Sequence, residues 1–273
     1  MILSPLLLSL IVSAFSPPKI ASSPARPTTK YKAARHWNAP ARYRGVSTRT
    51  PPRYFTEKVC ALTFDDGPSR QITPSILKIL KQENVPATFF VMGSMVSENG
   101  DLLKKEVAAG YAIGIHTYDH RTHPTRGQAS REMSWCEAGL IKTLGAKQQT
   151  WLFRSPFGNT KSAYTREALA RGYANILWSN SSADTATHSA SVVYNNVVSN
   201  IEPGQVIICH DSEGKRHTVN ALANVIRGLR KKGYTFVTVP VLLQKWDAVA
   251  SHPPTPKKKI EKKVLSIKLQ VLR

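Results

Sequence analysis

From Val59 onward, short apolar runs alternate with longer stretches whose apolar residues recur every three or four positions. The short runs read as strands: VCALTF at 59–64, ATFFVMG at 87–93, AIGIH at 112–116, TWLFR at 150–154, ANILW at 174–178, QVIICH at 205–210 and TFVTV at 235–239. Between them, 73–84, 100–110, 131–145, 162–172, 189–201 and 218–233 carry helical periodicity. Thr73 can cap the first of these helices with Pro74 at its first position, and Gly110, Gly172 and Gly233 stand where a helix would end in a left-handed residue. Strand–helix alternation repeated about seven times predicts a mainly parallel α/β sheet covered by helices, either a barrel or doubly wound. After Val241 the pattern fades, and 17–53 is rich in Pro, Ser, Thr, Ala and Arg with no sustained period, which reads as a linker.

In parallel α/β folds, ligands and reacting groups gather where strands end at their carboxyl side. Here those ends carry Asp65-Asp66, His116 and His120, Arg154, Asp184 and His210. The aspartate doublet has two readings. One is a strand that has already ended, with both carboxylates in a solvated turn that Gly67-Pro68 favours. The other is a site in which a metal ion relieves the repulsion between them. His116 and His120 are spaced to share a face of a helical turn and reach one ion, although loop histidines also recur by chance and His123 lies close by. Two His and one carboxylate with open positions is a recurrent catalytic zinc arrangement, and the same donors suit cobalt or manganese. One aspartate can then bind the ion while its neighbour takes a proton from water, an arginine orients that base, and a histidine opposite protonates a leaving amine. These are the parts for metal-assisted hydrolysis of an amide or ester.

Composition narrows the setting. The 273 residues carry a net charge of +21, concentrated in the flanks. Residues 19–53 hold nine Lys/Arg and no acid, 251–273 hold seven against one Glu, and 54–250 hold 22 basic and 16 acidic residues. Such flanks suit a polyanion or anionic surface, and they contain no recognised nucleic-acid motif. The opening run MILSPLLLSLIVSAFS has the length of a signal peptide and is short for a membrane span, so export is expected, with an uncleaved anchor as the alternative. Cys60, Cys136 and Cys209 form neither a disulfide framework nor a CxxC zinc site.

Five segments in order resemble the polysaccharide deacetylases of carbohydrate esterase family four, which share the NodB homology domain. They are TFDDGP (63–68), HTYDH (116–120), RSPFG (154–158), WSNSSADT (178–185) and ICHD (208–211), and the resemblance spans roughly 57–245. It implies a distorted, incomplete (β/α) barrel of about seven parallel strands. It also implies that Asp65 is the general base, that Asp66, His116 and His120 bind a divalent metal, zinc first, that Arg154 orients Asp65, and that His210 is the general acid, held by Asp184. Phe157 and Gly158 would offer a backbone oxyanion donor, with Trp178 and Ile208 lining an acetyl-methyl pocket. Ser181 and Thr185 depart from the family pattern, which often has Asp and Trp there, placing the support of His210 and one apolar wall in question.

The resulting division is a signal peptide (1–22), a basic linker (23–54), the NodB-homology domain (55–248) and a basic tail (249–273). The expected substrate is an envelope polysaccharide, peptidoglycan N-acetylglucosamine first, then chitin oligomers or an exopolysaccharide, then acetylxylan. The rivals are an inactive carbohydrate-binding module with the same fold, a polyanion-binding protein whose tails act alone, and a metallo-glycosidase. Each separates from the favoured reading by what is bound or released.

Overall fold

Seven consecutive residues, Val59–Asp65, are all buried, as expected of a strand covered on both faces of a parallel sheet. The computed structural model describes residues 36–252. Its strands in chain order are β1 (His36–Trp37), β2 (Ser47–Thr48), β3 (Val59–Asp65), β4 (Ala87–Val91), β5 (Ala112–Ile115) and β6 (Gln149–Thr150). They continue with β7 (Leu152–Phe153), β8 (Ala174–Ile176), β9 (Asn180–Ser181), β10 (Val206–His210) and β11 (Thr235–Phe236). The helices are α1 (Thr73–Glu83), α2 (Gly93–Ala108), α3 (Arg126–Leu144), α4 (Ala163–Ala170), α5 (Ala190–Ser199), α6 (Arg216–Lys231) and α7 (Val239–Ser251).

Eight strands run in the order β2-β8-β7-β5-β4-β3-β10-β9, and β11 joins off this path by pairing with the start of β3. Every pairing is parallel. The sheet curls into a half-barrel with helices outside, the incomplete (β/α) barrel of the sequence reading. Its centre is apolar: Phe64 and Phe89 stack at 5.1 Å across β3 and β4. Gly110, Gly172 and Gly233 all take positive φ after their helices, as the pattern required. All three cysteines are buried and free, small core residues in this fold.

Three expectations are corrected. The linker assigned to 23–54 does not hold for its second part. Trp37, Ala39 and Tyr43 are buried, β1 pairs with β6, and β2 pairs with β8 at the sheet edge. Two-residue strands carry no readable period, so only the aromatic anchors could have announced them. Residues 23–35, like the proposed signal peptide and the tail from 253, lie outside the described residues. At the other end regular structure does not fade after Val241 but continues as α7 through the end of the domain expected at 248 and on to Ser251. Helix α7 buries Val239, Leu242, Leu243 and Trp246, and Tyr43 lies 6.2 Å from the Trp246 ring. Finally, Thr73 is not a cap. It is the first residue of α1, and its hydroxyl accepts the Ser69 N–H and donates to the buried carboxylate of Asp211.

Candidate active site

Register places the reacting groups. β3 and β10 pair with Asp65 opposite His210, so the doublet and the histidine emerge side by side at the carboxyl ends of central strands. β5 runs into His116, whose N–H is held by Val91, and β7 runs into Arg154, whose N–H is held by Ile115. After Asp65 the chain turns sharply, with Asp66 at φ 72°. Among the described residues six non-glycines have positive φ, and five of them, Asp66, Thr117, His120, Phe157 and Ala183, lie in these strand-end loops. Strain of this kind concentrates where side chains must be aimed.

Asp65 is the buried member of the doublet. Arg154, fully buried, donates from Nη1 to Asp65 Oδ1 at 2.7 Å and to Thr63 Oγ1 at 2.7 Å, while its Nε donates to the Ile176 carbonyl at 2.8 Å. Its guanidinium packs over Phe90 at 4.1 Å. Such a pair is costly to break, because either charge left alone in the interior has no water to stabilise it.

Asp66 meets both histidines. His116 Nε2 lies 3.3 Å and His120 Nε2 3.7 Å from Asp66 Oδ1. The Nδ1–H of His116 donates to the Arg154 carbonyl at 2.8 Å, which turns its Nε2 toward the aspartate. One donor atom from each of the three residues falls within 4.8 Å of the others. Burial works against ionising Asp66, but the hydrogen bond from His116 and the charges of His116, His210 and His120 outweigh it and hold the carboxyl well below its usual range. Apart from that approach of the His116 ring, Asp66 Oδ1 is buried and has no other hydrogen-bond partner. An orphaned carboxylate oxygen facing two imidazole nitrogens is a donor set that fits a divalent ion. The two histidines converge without a helical turn: 116–120 is irregular, bent by Thr117 and His120 at positive φ.

Beside Asp65 in the strand register, His210 is gripped by Asp184. The ring Nδ1–H donates to Asp184 Oδ1 at 2.7 Å, and the His210 backbone N–H donates to Oδ2 at 2.8 Å. Thr218 Oγ1 donates to the same Oδ2 at 2.8 Å, and His217 Nε2 to the Asp184 carbonyl at 2.8 Å. Burial pulls His210 down, yet the bond and charge of Asp184, with the charges of Asp65 and Asp66, raise it above an ordinary histidine. Asp184 makes these contacts although Ser181 and Thr185 break the family pattern. Ser181 instead accepts the Ala183 N–H, and Thr185 is exposed.

The remaining sequence-predicted residues flank the cluster. Phe157 is 61% exposed and sets its ring 4.5 Å from that of His120, edge to face. Trp178 packs against Gly158, where a Cβ would come within 2.9 Å of the indole. Ile208 is buried and paired with Ser181. One detail is corrected: the Gly158 N–H is already donated to the Ser155 carbonyl, so of the expected pair of oxyanion donors Gly158 is engaged in its own turn. The sequence reading missed Thr63, Thr218 and His217, which orient Arg154 and Asp184 from other elements, and no local signal marks them. It also gave no role to Asp211, whose carboxyl is pushed up to about 7 by burial and the charges of Asp66 and Asp65, against the hydrogen bond from Thr73.

An aspartate held by a buried arginine, three residues that could hold a metal ion and a histidine–aspartate pair are gathered at the strand ends of a half-barrel, an arrangement suited to hydrolysis. The family model for polysaccharide deacetylases matches residues 53–176. A peptidoglycan-N-acetylglucosamine deacetylase of Bacillus cereus is 36% identical over 191 residues, covering 69% of this chain and 89% of that protein. The peptidoglycan-N-acetylglucosamine deacetylase PgdA of Listeria monocytogenes is 34% identical over 234 residues, 83% of this chain and 48% of the Listeria protein, so this chain spans about half its length. A crystal structure of a peptidoglycan N-acetylglucosamine deacetylase bound to a naphthyl N-hydroxybenzamide superposes with a TM-score of 0.67 at 32% identity, covering 72% of this chain and 92% of that one. The chain belongs to the polysaccharide deacetylase family, carbohydrate esterase family four.

Proposed function

We propose that the protein is a metal-dependent hydrolase that removes N-acetyl groups from N-acetylglucosamine units of a cell-envelope polysaccharide, with peptidoglycan as the first candidate. The observation that carries this reading is the convergence of Asp66, His116 and His120 beside Asp65 and His210, which are register partners on β3 and β10. Those three residues would hold the ion, zinc first and cobalt or manganese next. A divalent ion in such a site polarises a carbonyl and acidifies water. Asp65, fixed through Oδ1 by Arg154, is the general base that accepts the proton of the attacking water. His210 is the general acid, delivering a proton from Nε2 to the leaving amine while Asp184 holds Nδ1–H. Phe157 contributes the candidate backbone donor to the developing oxyanion, and Trp178 and Ile208 form the apolar wall for the acetyl methyl. The substrate assignment draws on the relatives, whose names state peptidoglycan deacetylation, and on the basic flanks, which suit an anionic envelope. The apolar opening segment supports export to that envelope.

The test is acetate release from purified peptidoglycan and from N-acetylglucosamine oligomers, with and without a chelator, alongside Asp66→Ala. The expected result is acetate that disappears with the chelator and in the variant. A folded, zinc-supplied protein that releases none from either substrate overturns the proposal in favour of an inactive binding module. A shortened sugar chain in place of acetate would indicate a glycosidase.

A further inference from the structure

The strand that the sequence reading took for linker carries an arginine to the rim of the site. β2 is locked to β8 by the Asn175 N–H donating to Val46 and the Leu177 N–H donating to Thr48 at 2.8 Å, with Asn175 Nδ2 donating to Ser47 Oγ at 2.9 Å. Arg49 follows at once. Its Nη1 donates to the Trp178 carbonyl at 3.3 Å, and its guanidinium lies over the Trp178 ring at 5.7 Å. Trp178 in turn abuts the Phe157–Gly158 turn that touches His120.

Two guanidinium groups therefore lie over one indole. Arg154 is buried and neutralised by Asp65. Arg49 is exposed, and among the described residues it has no carboxylate partner. Its one hydrogen bond leaves the rest of a five-donor fork facing solvent, preorganised by the ring beneath it. A planar fork fixed on an aromatic wall matches a carboxylate in two-point fashion, whereas a neutral sugar hydroxyl gives it no charge to meet.

We propose that Arg49 is a specificity-determining residue that binds a carboxylate on the glycan being deacetylated. The site then prefers N-acetylated saccharides bearing acid groups, such as a lactyl-substituted amino sugar, over neutral chitin-type chains. This inference rests on the deacetylase reading and names the substrate class of that same site.

The experiment measures binding, so that it does not depend on turnover. Calorimetry on the full chain carrying Asp66→Asn compares the disaccharide N-acetylglucosaminyl-N-acetylmuramic acid with the same disaccharide whose lactyl carboxyl is a methyl amide. The background variant has its own acid-to-amide affinity ratio, and Arg49→Gln is expected to cut it about tenfold, the usual scale for losing a charge-assisted contact. Arg49→Lys keeps the charge without the fork and retains part of the ratio. The proposal is overturned if the acid form does not bind, if acid and amide bind equally, or if Arg49→Gln leaves the ratio unmoved. Absence of acetate in the activity assay would instead sink the deacetylase reading, a separate result from the binding ratio.

Discussion

His210 must carry a proton to act as the acid, so the alkaline side of the rate profile follows its titration. The Asp184 carboxylate is the largest influence that raises it. Asp184→Asn is therefore expected to move the alkaline limb of kcat/KM to lower pH, and a limb that stays in place would remove His210 from the acid role. His210→Ala should lower kcat by roughly 10²- to 10⁴-fold, the usual contribution of a positioned acid. The same pair shapes stability. Asp184, held below its usual range mainly by His210 against its own burial, stabilises the fold at neutral pH and loses that contribution as pH falls through its lowered pKa. His210 contributes fully below its unfolded pKa and loses the contribution as pH rises through its raised value. The dyad thus stabilises most in the window where Asp184 is ionised and His210 protonated. At this scale the sequence was most informative where a residue's chemistry was improbable without a partner, as with Asp65-Asp66. It was silent about Thr218 and His217, whose partner Asp184 lies some thirty residues away, because ordinary residue types become meaningful only through the fold.

Elements were readable in proportion to their length. β3, β4 and β10 each present at least five residues of nearly continuous burial and stand where the apolar runs placed them. β1, β2 and β9 have two residues each and no period to detect, whereas the equally short β7 and β11 were legible because each lies inside a longer apolar run, 150–154 and 235–239. The helix expected from 131 begins at Arg126 because Thr125 and Gln128 form a capping box, Thr125 Oγ1 accepting the Gln128 N–H and Gln128 Oε1 the Thr125 N–H. Thr125→Ala should cost about 0.5–2 kcal/mol, read as a lower urea midpoint without change in the slope. α7 is the larger test, because the apolar pattern fades after Val241 in the sequence. Trp246 is fully buried and meets Tyr43 from the amino-terminal segment, joining the two stretches that the sequence reading left outside or at the border of the domain. Trp246→Ala is expected to destabilise by about 3–5 kcal/mol, as other large-to-small changes of a buried aromatic do. A loss under about 1 kcal/mol would show that α7 and the 37–43 segment are accessory to the folded core, since even a modest core truncation exceeds that.

Charge is distributed on the scale of the whole molecule. The stretch 54–250 is nearly balanced, and the excess sits before and after it. Seven of the fourteen arginines of the described body are matched by carboxylates, among them Arg42 with Asp247, Arg70 with Asp101, Arg171 with Glu137 and Glu167, and Arg227 and Arg230 with Glu83. Paired charges offer little to an external polyanion, whereas the flanking residues have almost no acids in sequence to pair with. Deleting 1–35 and 253–273 removes twelve basic residues and one acid, taking the net charge from +21 to +10. Because β1 begins at His36 and α7 ends at Ser251, the deletion leaves every described element in place. Sedimentation with purified anionic cell-wall particles should then fall, most visibly at low salt, since exposed charges are screened beyond about 8 Å at physiological ionic strength. Acetate release from a short soluble oligomer should stay close to that of the full chain, because no reacting group lies in the deleted segments. Loss of both together would mean that the flanks complete the site. Particle binding unchanged by the deletion, and equally insensitive to salt, would assign envelope attachment to the folded body, with Arg49 the first residue to examine.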